Sequence, residues 1–79
     1  WNPAPVFDLV RQVGGVSQPD LEATLNCGVG MVALTSPESV DTALDLLDGF
    51  GIRAWAVGEV DVDPDQEATV RLVGQHPGW

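Results

Sequence analysis

Two glycines one residue apart, Gly28 and Gly30, stand between a short helical stretch and an uninterrupted apolar run, and this junction limits what the chain can become more than any other segment. A helix-to-strand connection ordinarily needs one residue without a Cβ. A pair indicates backbone that must reach positive φ or lie bare against something else. Successive amides in such a segment can also form a concave anion-binding nest. The string Gly28-Val29-Gly30-Met31-Val32-Ala33 fits the letters G-x-G-x-x-A of a dinucleotide fingerprint, but that fingerprint follows a strand and opens a helix, so that the helix dipole meets a pyrophosphate. Here the order is reversed, and a dinucleotide-binding fold is set aside. The remaining functional reading is that Asn26 and the amides around Gly28 and Gly30 face a ligand, with Thr24 as a further hydroxyl. The bland reading is that the glycines let a helix pack closely on a strand.

The flanking residues carry local signals. Pro3 and Pro5 precede Val6, Phe7, Leu9, Val10 and Val13, a spacing that predicts a helix with one apolar face, ended by Gly14-Gly15. Ser17 offers an N-cap oxygen, Pro19 suits a first turn and Asp20 takes the capping-box position, so residues 18–26 are predicted as a second helix burying Leu21 and Leu25. Val29 to Thr35 is apolar without polar alternation, which predicts a strand covered on both faces. Ser36-Pro37-Glu38 stops that run and starts a third helix, with Val40, Ala43, Leu44 and Leu47 facing inward. Beyond Gly49 and Gly51, Ile52 to Val62 is predicted as a second strand and Ala68 to Val73 as a third, paired as a hairpin across the Asp63-Pro64-Asp65-Gln66 turn. The expected fold class is therefore α/β, a two-layer α+β arrangement over residues 1–79 as a single domain, with a strand-helix-strand unit and a C-terminal hairpin. The order of the strands is open.

Composition removes several functions. Twelve acids stand against Arg11, Arg53 and Arg71, with no lysine, for a formal charge of −9. A polyanion meets net repulsion from such a surface, so neither nucleic acid nor an anionic membrane is expected as a partner. Without lysine there is neither a P-loop phosphate grip nor a Schiff-base amine. Cys27 is the only cysteine, so no internal disulfide or paired-thiolate zinc site can form, which suits a reducing cytoplasm. Met31 is the only methionine and the chain opens on Trp1, so an excerpt of a longer protein or a processed product is expected.

Other chemistry-bearing residues have plain readings. Asp61-Val62-Asp63-Pro64-Asp65 starts like a calcium loop, but Gln66 replaces the sharp-turn glycine and Leu72 the bidentate glutamate, which leaves a solvated turn. Asp41, Asp45 and Asp48 share one helical face opposite the leucines and read as its exposed side. His76 is the only histidine and lies among Gly74, Pro77 and Gly78; it would serve Cys27 as a base only if folding joined the two, and a buried structural cysteine is the better reading. Trp55 is expected in a core or at an interface, and Trp1 and Trp79 at the ends.

Asp20-Leu21-Glu22-Ala23-Thr24-Leu25-Asn26-Cys27-Gly28-Val29-Gly30-Met31-Val32 resembles the E-M-x-R-T-F-N-M-G-I-G-M-V segment of AIR synthetases, the phosphoribosylformylglycinamidine cyclo-ligases. Upstream, Pro5-Val6-Phe7 and Gly15-Val16 resemble that family's P-x-I-F helix and G-x-V turn; downstream, Ala56-Val57-Gly58-Glu59-Val60 resembles its x-I-G-x-V strand and Arg71-Leu72-Val73-Gly74 its final strand. The N-x-G-x-G-M core is the most specific part and favours this family over its superfamily relatives thiamine monophosphate kinase, selenophosphate synthetase and a hydrogenase maturation protein. Ala23, Leu25 and Cys27 stand where the family has arginine, phenylalanine and methionine, so no role of that arginine carries over.

The resemblance implies a portion of the family's C-terminal domain, within an enzyme in which ATP activates the formyl oxygen of formylglycinamidine ribonucleotide and a nitrogen closes onto that carbon to give aminoimidazole ribonucleotide. It implies ATP and Mg in the full-length enzyme and none for this chain alone, an N-terminal ATP-binding domain as a partner, a homodimer, a cytoplasmic location, and no catalysis by this segment by itself. Asn26, Gly28, Gly30 and Thr24 would then contact the ribonucleotide, with no catalytic or metal-binding residue among them. The rival expectation is a small stand-alone α/β ligand-binding or regulatory module.

Overall fold

A computed structural model describes all residues, 1–79. Its regular structure is three α-helices, α1 (Pro5–Gly14), α2 (Gln18–Thr24) and α3 (Val40–Gly49), with a 3₁₀ turn at Pro37–Ser39 leading into α3. Each helix forms for reasons that are local. Pro5 opens α1 with its φ already helical. Ser17 caps α2 by accepting the Asp20 N–H at 3.3 Å and donates its own hydroxyl to the Asp20 carboxylate at 2.6 Å, so the shorter acid meets the serine hydroxyl in place of the backbone N–H that a full capping box would use. α1 and α3 end in the same way. Gly15 at φ 62 donates to Gln12 while Val16 donates to Arg11, and Gly51 at φ 73 donates to Asp48 while Ile52 donates to Leu47. These are Schellman closures, which satisfy the last carbonyls and need the left-handed backbone that glycine reaches without a Cβ clash.

The expected α/β fold is overturned. No strand, sheet, strand-helix-strand unit or hairpin forms, and the backbone hydrogen bonds outside the helices are all local turns. The three runs read as strands leave most of their side chains in solvent: Met31 is 91% exposed and Val70 87% exposed, with Val32, Leu34, Val60, Val62 and Val73 exposed as well, and only Val29 and Trp55 half-buried. Strand propensity describes how a side chain fits a pleated, covered surface. Without a neighbouring edge to take up the N–H and C=O groups, an apolar run stays irregular, and a lone two-stranded hairpin is marginal in water. The second helix is also shorter than expected. Leu25 leaves it in extended geometry at φ −119 and is exposed, so Leu21 is buried without it.

The chain divides into two compact units, Trp1–Val32 with Val70–Trp79, and Ala33–Thr69. In the first, the buried residues are Pro3, Leu21, Cys27 and His76. In the second, Val40, Ala43, Leu44 and Leu47 form the half-buried face of α3, as their spacing predicts, and Asp41, Asp45 and Asp48 are exposed. Arg53 lays its guanidinium 5.2 Å from the centre of the half-buried Trp55 ring. No helix is long and apolar enough to cross a membrane.

Leu21, 2% exposed, and Leu9, 60% exposed, give a direct test of this core. Leu21→Ala should lower unfolding free energy by about 2–5 kcal/mol, enough to abolish cooperative unfolding in so small a chain, whereas Leu9→Ala should cost less than about 1 kcal/mol. Urea titration followed by helical circular dichroism reads both, and equal losses would show that Leu21 is not the core.

Candidate functional site

The loop after α2 is built by its own polar atoms. Leu25 still donates its N–H to Leu21 at 2.7 Å, and the chain then turns sharply. Asn26 Oδ1 accepts the Gly28 N–H at 2.9 Å, and the Asn26 carbonyl accepts the Val29 N–H at 3.0 Å. Between them Cys27 and Gly28 both have positive φ, 50 and 100, the mirror image of the common type I turn. Glycine occupies one of these positions freely. Cys27 occupies the other at a cost of about 1–2 kcal/mol, which is offset by burial of its side chain to 2% exposure and by its carbonyl accepting the Trp1 indole N–H at 2.8 Å.

This geometry sorts the expected site residues. Asn26, Gly28 and Gly30 lie together on the loop, and Thr24 closes α2 two residues earlier. The Gly28 amide is held by Asn26, and the Thr24 hydroxyl donates to the Asp20 carbonyl at 2.8 Å, so both donors serve the fold. Asn26 Nδ2 and the Gly30 N–H stand outside these bonds. Gly30 differs from Gly28 in kind: its φ is not positive, it is exposed, and a Cβ built on it would meet nothing within 4 Å. The chain's own folding gives no reason for glycine there. At Gly28 the positive φ is reason enough, and the Phe7 ring of α1 packs 3.8 Å from where its Cβ would lie.

Beside the loop lies a cluster that spacing along the sequence did not reveal. His76, 6% exposed, packs edge-on to the Trp1 ring at 4.6 Å and to the Trp79 ring at 4.7 Å. Its Nδ1 lies 3.4 Å from the Trp1 carbonyl, and its Nε2 lies 2.8 Å from Glu22 Oε1, a short contact without hydrogen-bond alignment. Glu22 Oε1 also accepts Gln18 Nε2 at 3.0 Å. Arg11 joins from α1, with its guanidinium 5.3 Å from the centre of the Trp79 ring while it pairs with Asp8 at 2.7 Å. A hollow of about 90 Å³ opens here, between α2 and residues 72–76. The partners of His76 are too distant along the chain to be read from spacing; the only local hint was an isolated histidine beside a tryptophan in a Gly-Pro-rich stretch.

The remaining candidates take their plain roles. The Cys27 thiol is pushed above its ordinary range by burial, and the negative charge of Glu22 adds to this, so the residue is an inert core thiol and not a nucleophile. Asp61 and Asp63 turn their carboxylates onto the backbone N–H groups of Val62 and Asp65 at 2.8 and 2.9 Å, which is turn chemistry. No three His, Cys, Asp or Glu side chains are grouped to hold a metal ion. Arg11 is committed to Asp8 and Trp79, and Arg53 to Trp55.

Residues 4–71 match the model of a family described as AIR synthase related protein, C-terminal domain. A provisionally named phosphoribosylformylglycinamidine cyclo-ligase of Streptomyces fradiae is 52% identical over 60 residues, covering 76% of this chain and 33% of that protein. Phosphoribosylformylglycinamidine cyclo-ligases of Thermoanaerobacter sp. (strain X514) and Thermoanaerobacter pseudethanolicus are each 35% identical over 60 residues, 76% of this chain and 18% of theirs. The chain thus spans a third or less of the length of these curated relatives. No solved structure matches it.

Two outcomes follow from the loop. Gly28→Ala should destabilise the chain by about 1–2 kcal/mol through its positive φ, and Gly30→Ala should leave stability unchanged or raise it by up to about 1 kcal/mol by restricting the unfolded chain; urea midpoints compare them, and equal effects would mean that the turn is misassigned. The alkylation rate of Cys27 against pH should show its midpoint above that of the urea-unfolded chain, because the folded state disfavours the thiolate. By the same linkage the thiol's contribution to stability is whole below the unfolded value and fades as pH rises through the folded one. A folded midpoint at or below the unfolded one would contradict the burial.

Proposed function

This chain belongs to the AIR synthase related proteins, through the C-terminal domain that residues 4–71 match, and from that premise we propose that it is a C-terminal segment of an ATP-dependent ligase that cyclises formylglycinamidine ribonucleotide to aminoimidazole ribonucleotide in purine biosynthesis. The names of its relatives support the reaction class. The segment does not catalyse by itself. It supplies one wall of a cleft whose nucleotide site belongs to a separate ATP-binding domain of the same protein, which acts in the cytoplasm as a homodimer. The exposed apolar side chains of Val6, Leu9, Val10 and Val13 on α1 fit a chain that works against further polypeptide.

Gly30 carries the site reading. It is bare, exposed and without strain, beside a side-chain amide outside the turn's own bonds, in the segment where Thr24, Asn26, Gly28, Gly30, Met31 and Val32 keep the family's letters. A residue that folding leaves free to be larger is kept small by what approaches it. The electrostatics select which part of the substrate that is. The loop follows the C-terminus of α2, the negative end of its dipole, in a chain of formal charge −9, with Arg11 turned to Asp8. A phosphate gains nothing there. The Asn26 side-chain amide and the Gly30 N–H suit an uncharged acceptor, a ribose hydroxyl or a carbonyl oxygen of the ribonucleotide. Holding it positions the reacting ends for ring closure, a contribution made by orientation and not by proton transfer.

In the complete protein, Gly30→Ala and Asn26→Ala should each raise the ribonucleotide KM about three- to tenfold, the scale of one hydrogen bond to a neutral group, with circular dichroism unchanged. Kinetics identical to the parent for both variants would remove the site.

A further inference from the structure

The cluster around His76 has no part in the reading above, yet it bears directly on the loop. Three bonds or contacts converge on the turn or on the helix that leads into it: the Trp1 indole N–H on the Cys27 carbonyl at 2.8 Å, the His76 ring edge-on to Trp1 at 4.6 Å, and His76 Nε2 at 2.8 Å from Glu22 on α2. Residue 27 is the non-glycine position of this turn with positive φ, so it is the point at which the turn is least able to hold its own shape. An external anchor on that residue's carbonyl acts where the strain lies.

We propose that Trp1 and His76 are positioning residues for the Asn26–Gly30 loop: His76, wedged between Trp1 and Trp79 and set against Glu22, fixes the Trp1 indole, and the indole holds the turn through the Cys27 carbonyl. What the fixed loop then does rests on the ribonucleotide reading; that it is fixed in this way does not. The groups facing His76 come from every element around it: Glu22 and Gln18 from α2, the Trp1 carbonyl and ring, and the Trp79 ring with Arg11 of α1 behind it. Each contact is specific in geometry. The Trp1 ring is 39% exposed, but its N–H is taken up by the Cys27 carbonyl, and T-shaped ring pairs at 4.6 and 4.7 Å set the ring planes against one another. The clasp joins residues 75 positions apart, so it constrains the turn from outside the local sequence.

Cys27, the single cysteine and buried at the centre of the turn, is a built-in reporter, because alkylation requires the turn to open. Trp1→Phe removes the indole N–H and keeps an aromatic ring; His76→Phe keeps a ring and removes both nitrogen contacts. On the full 79-residue chain, at fixed pH and in native buffer, each should alkylate with iodoacetamide about fivefold faster than the parent, the scale of one lost hydrogen bond. The urea midpoint and helical circular dichroism should stay close to parental values. Leu9→Ala, away from the turn, should alkylate at the parental rate. A parental alkylation rate in both aromatic variants would overturn the proposal. So would acceleration that only follows a fall in the urea midpoint, since that is general destabilisation. In the complete protein, the same variants should raise the ribonucleotide KM and leave kcat unchanged. Faster alkylation with an unchanged KM upholds the clasp and removes the ribonucleotide reading of the loop, so the two claims fail separately.

Discussion

The hydrogen bond from the Trp1 indole to the Cys27 carbonyl, 2.8 Å long, is the constraint that holds the Asn26–Gly30 turn of the first unit in place. Asn26 can close a turn over Cys27 and Gly28 by accepting the Gly28 and Val29 amides, but it does so by forcing a residue with a Cβ to positive φ. Burial of that residue's side chain and anchorage of its carbonyl keep the turn in place. Leu21 on α2 and Cys27 in the turn are buried apolar side chains of this unit, and His76, from far along the chain, is buried against Trp1, Trp79 and Glu22. The result is a small unit whose order comes from one capped helix, one strained turn and one aromatic clasp, and its single cysteine forms no disulfide.

The helices were legible in the sequence and the sheet was not. Ser17, Pro19 and Asp20 fix the start of α2 within a few residues, and Gly15 and Gly51 fix the ends of α1 and α3 by a backbone requirement that the sequence states outright. The apolar faces follow from period alone, as Val40, Ala43, Leu44 and Leu47 confirm. Val29 to Thr35 and Ile52 to Val62 have the composition of strands, but a strand is a relation between two segments, and neither segment names its partner. Their exposure shows that composition by itself does not pair them. The loop lies between these cases. Asn26, Gly28 and Gly30 announce a special turn, but only the geometry separates Gly28, which the turn requires, from Gly30, which it does not. The His76 cluster was invisible because its partners are distant along the chain.

Charge narrows the chemistry further. With formal charge −9, no lysine and its arginines at positions 11 and 53 held by Asp8 and by aromatic rings, this segment is poorly suited to grip phosphate. On the function proposed above, Asn26 Nδ2 and the Gly30 amide would meet a neutral acceptor. Ala23 stands where the family segment carries arginine, so this loop has no cationic side chain of its own.

Amide hydrogen exchange of the complete protein, with and without formylglycinamidine ribonucleotide, tests the role of this loop most directly. The ribonucleotide should slow exchange at the Gly30 amide, which no bond within the chain protects, and leave Gly28 and Val29, already held by Asn26, little changed. Protection confined to other parts of the protein, with Gly30 exchanging at its ligand-free rate, would contradict it.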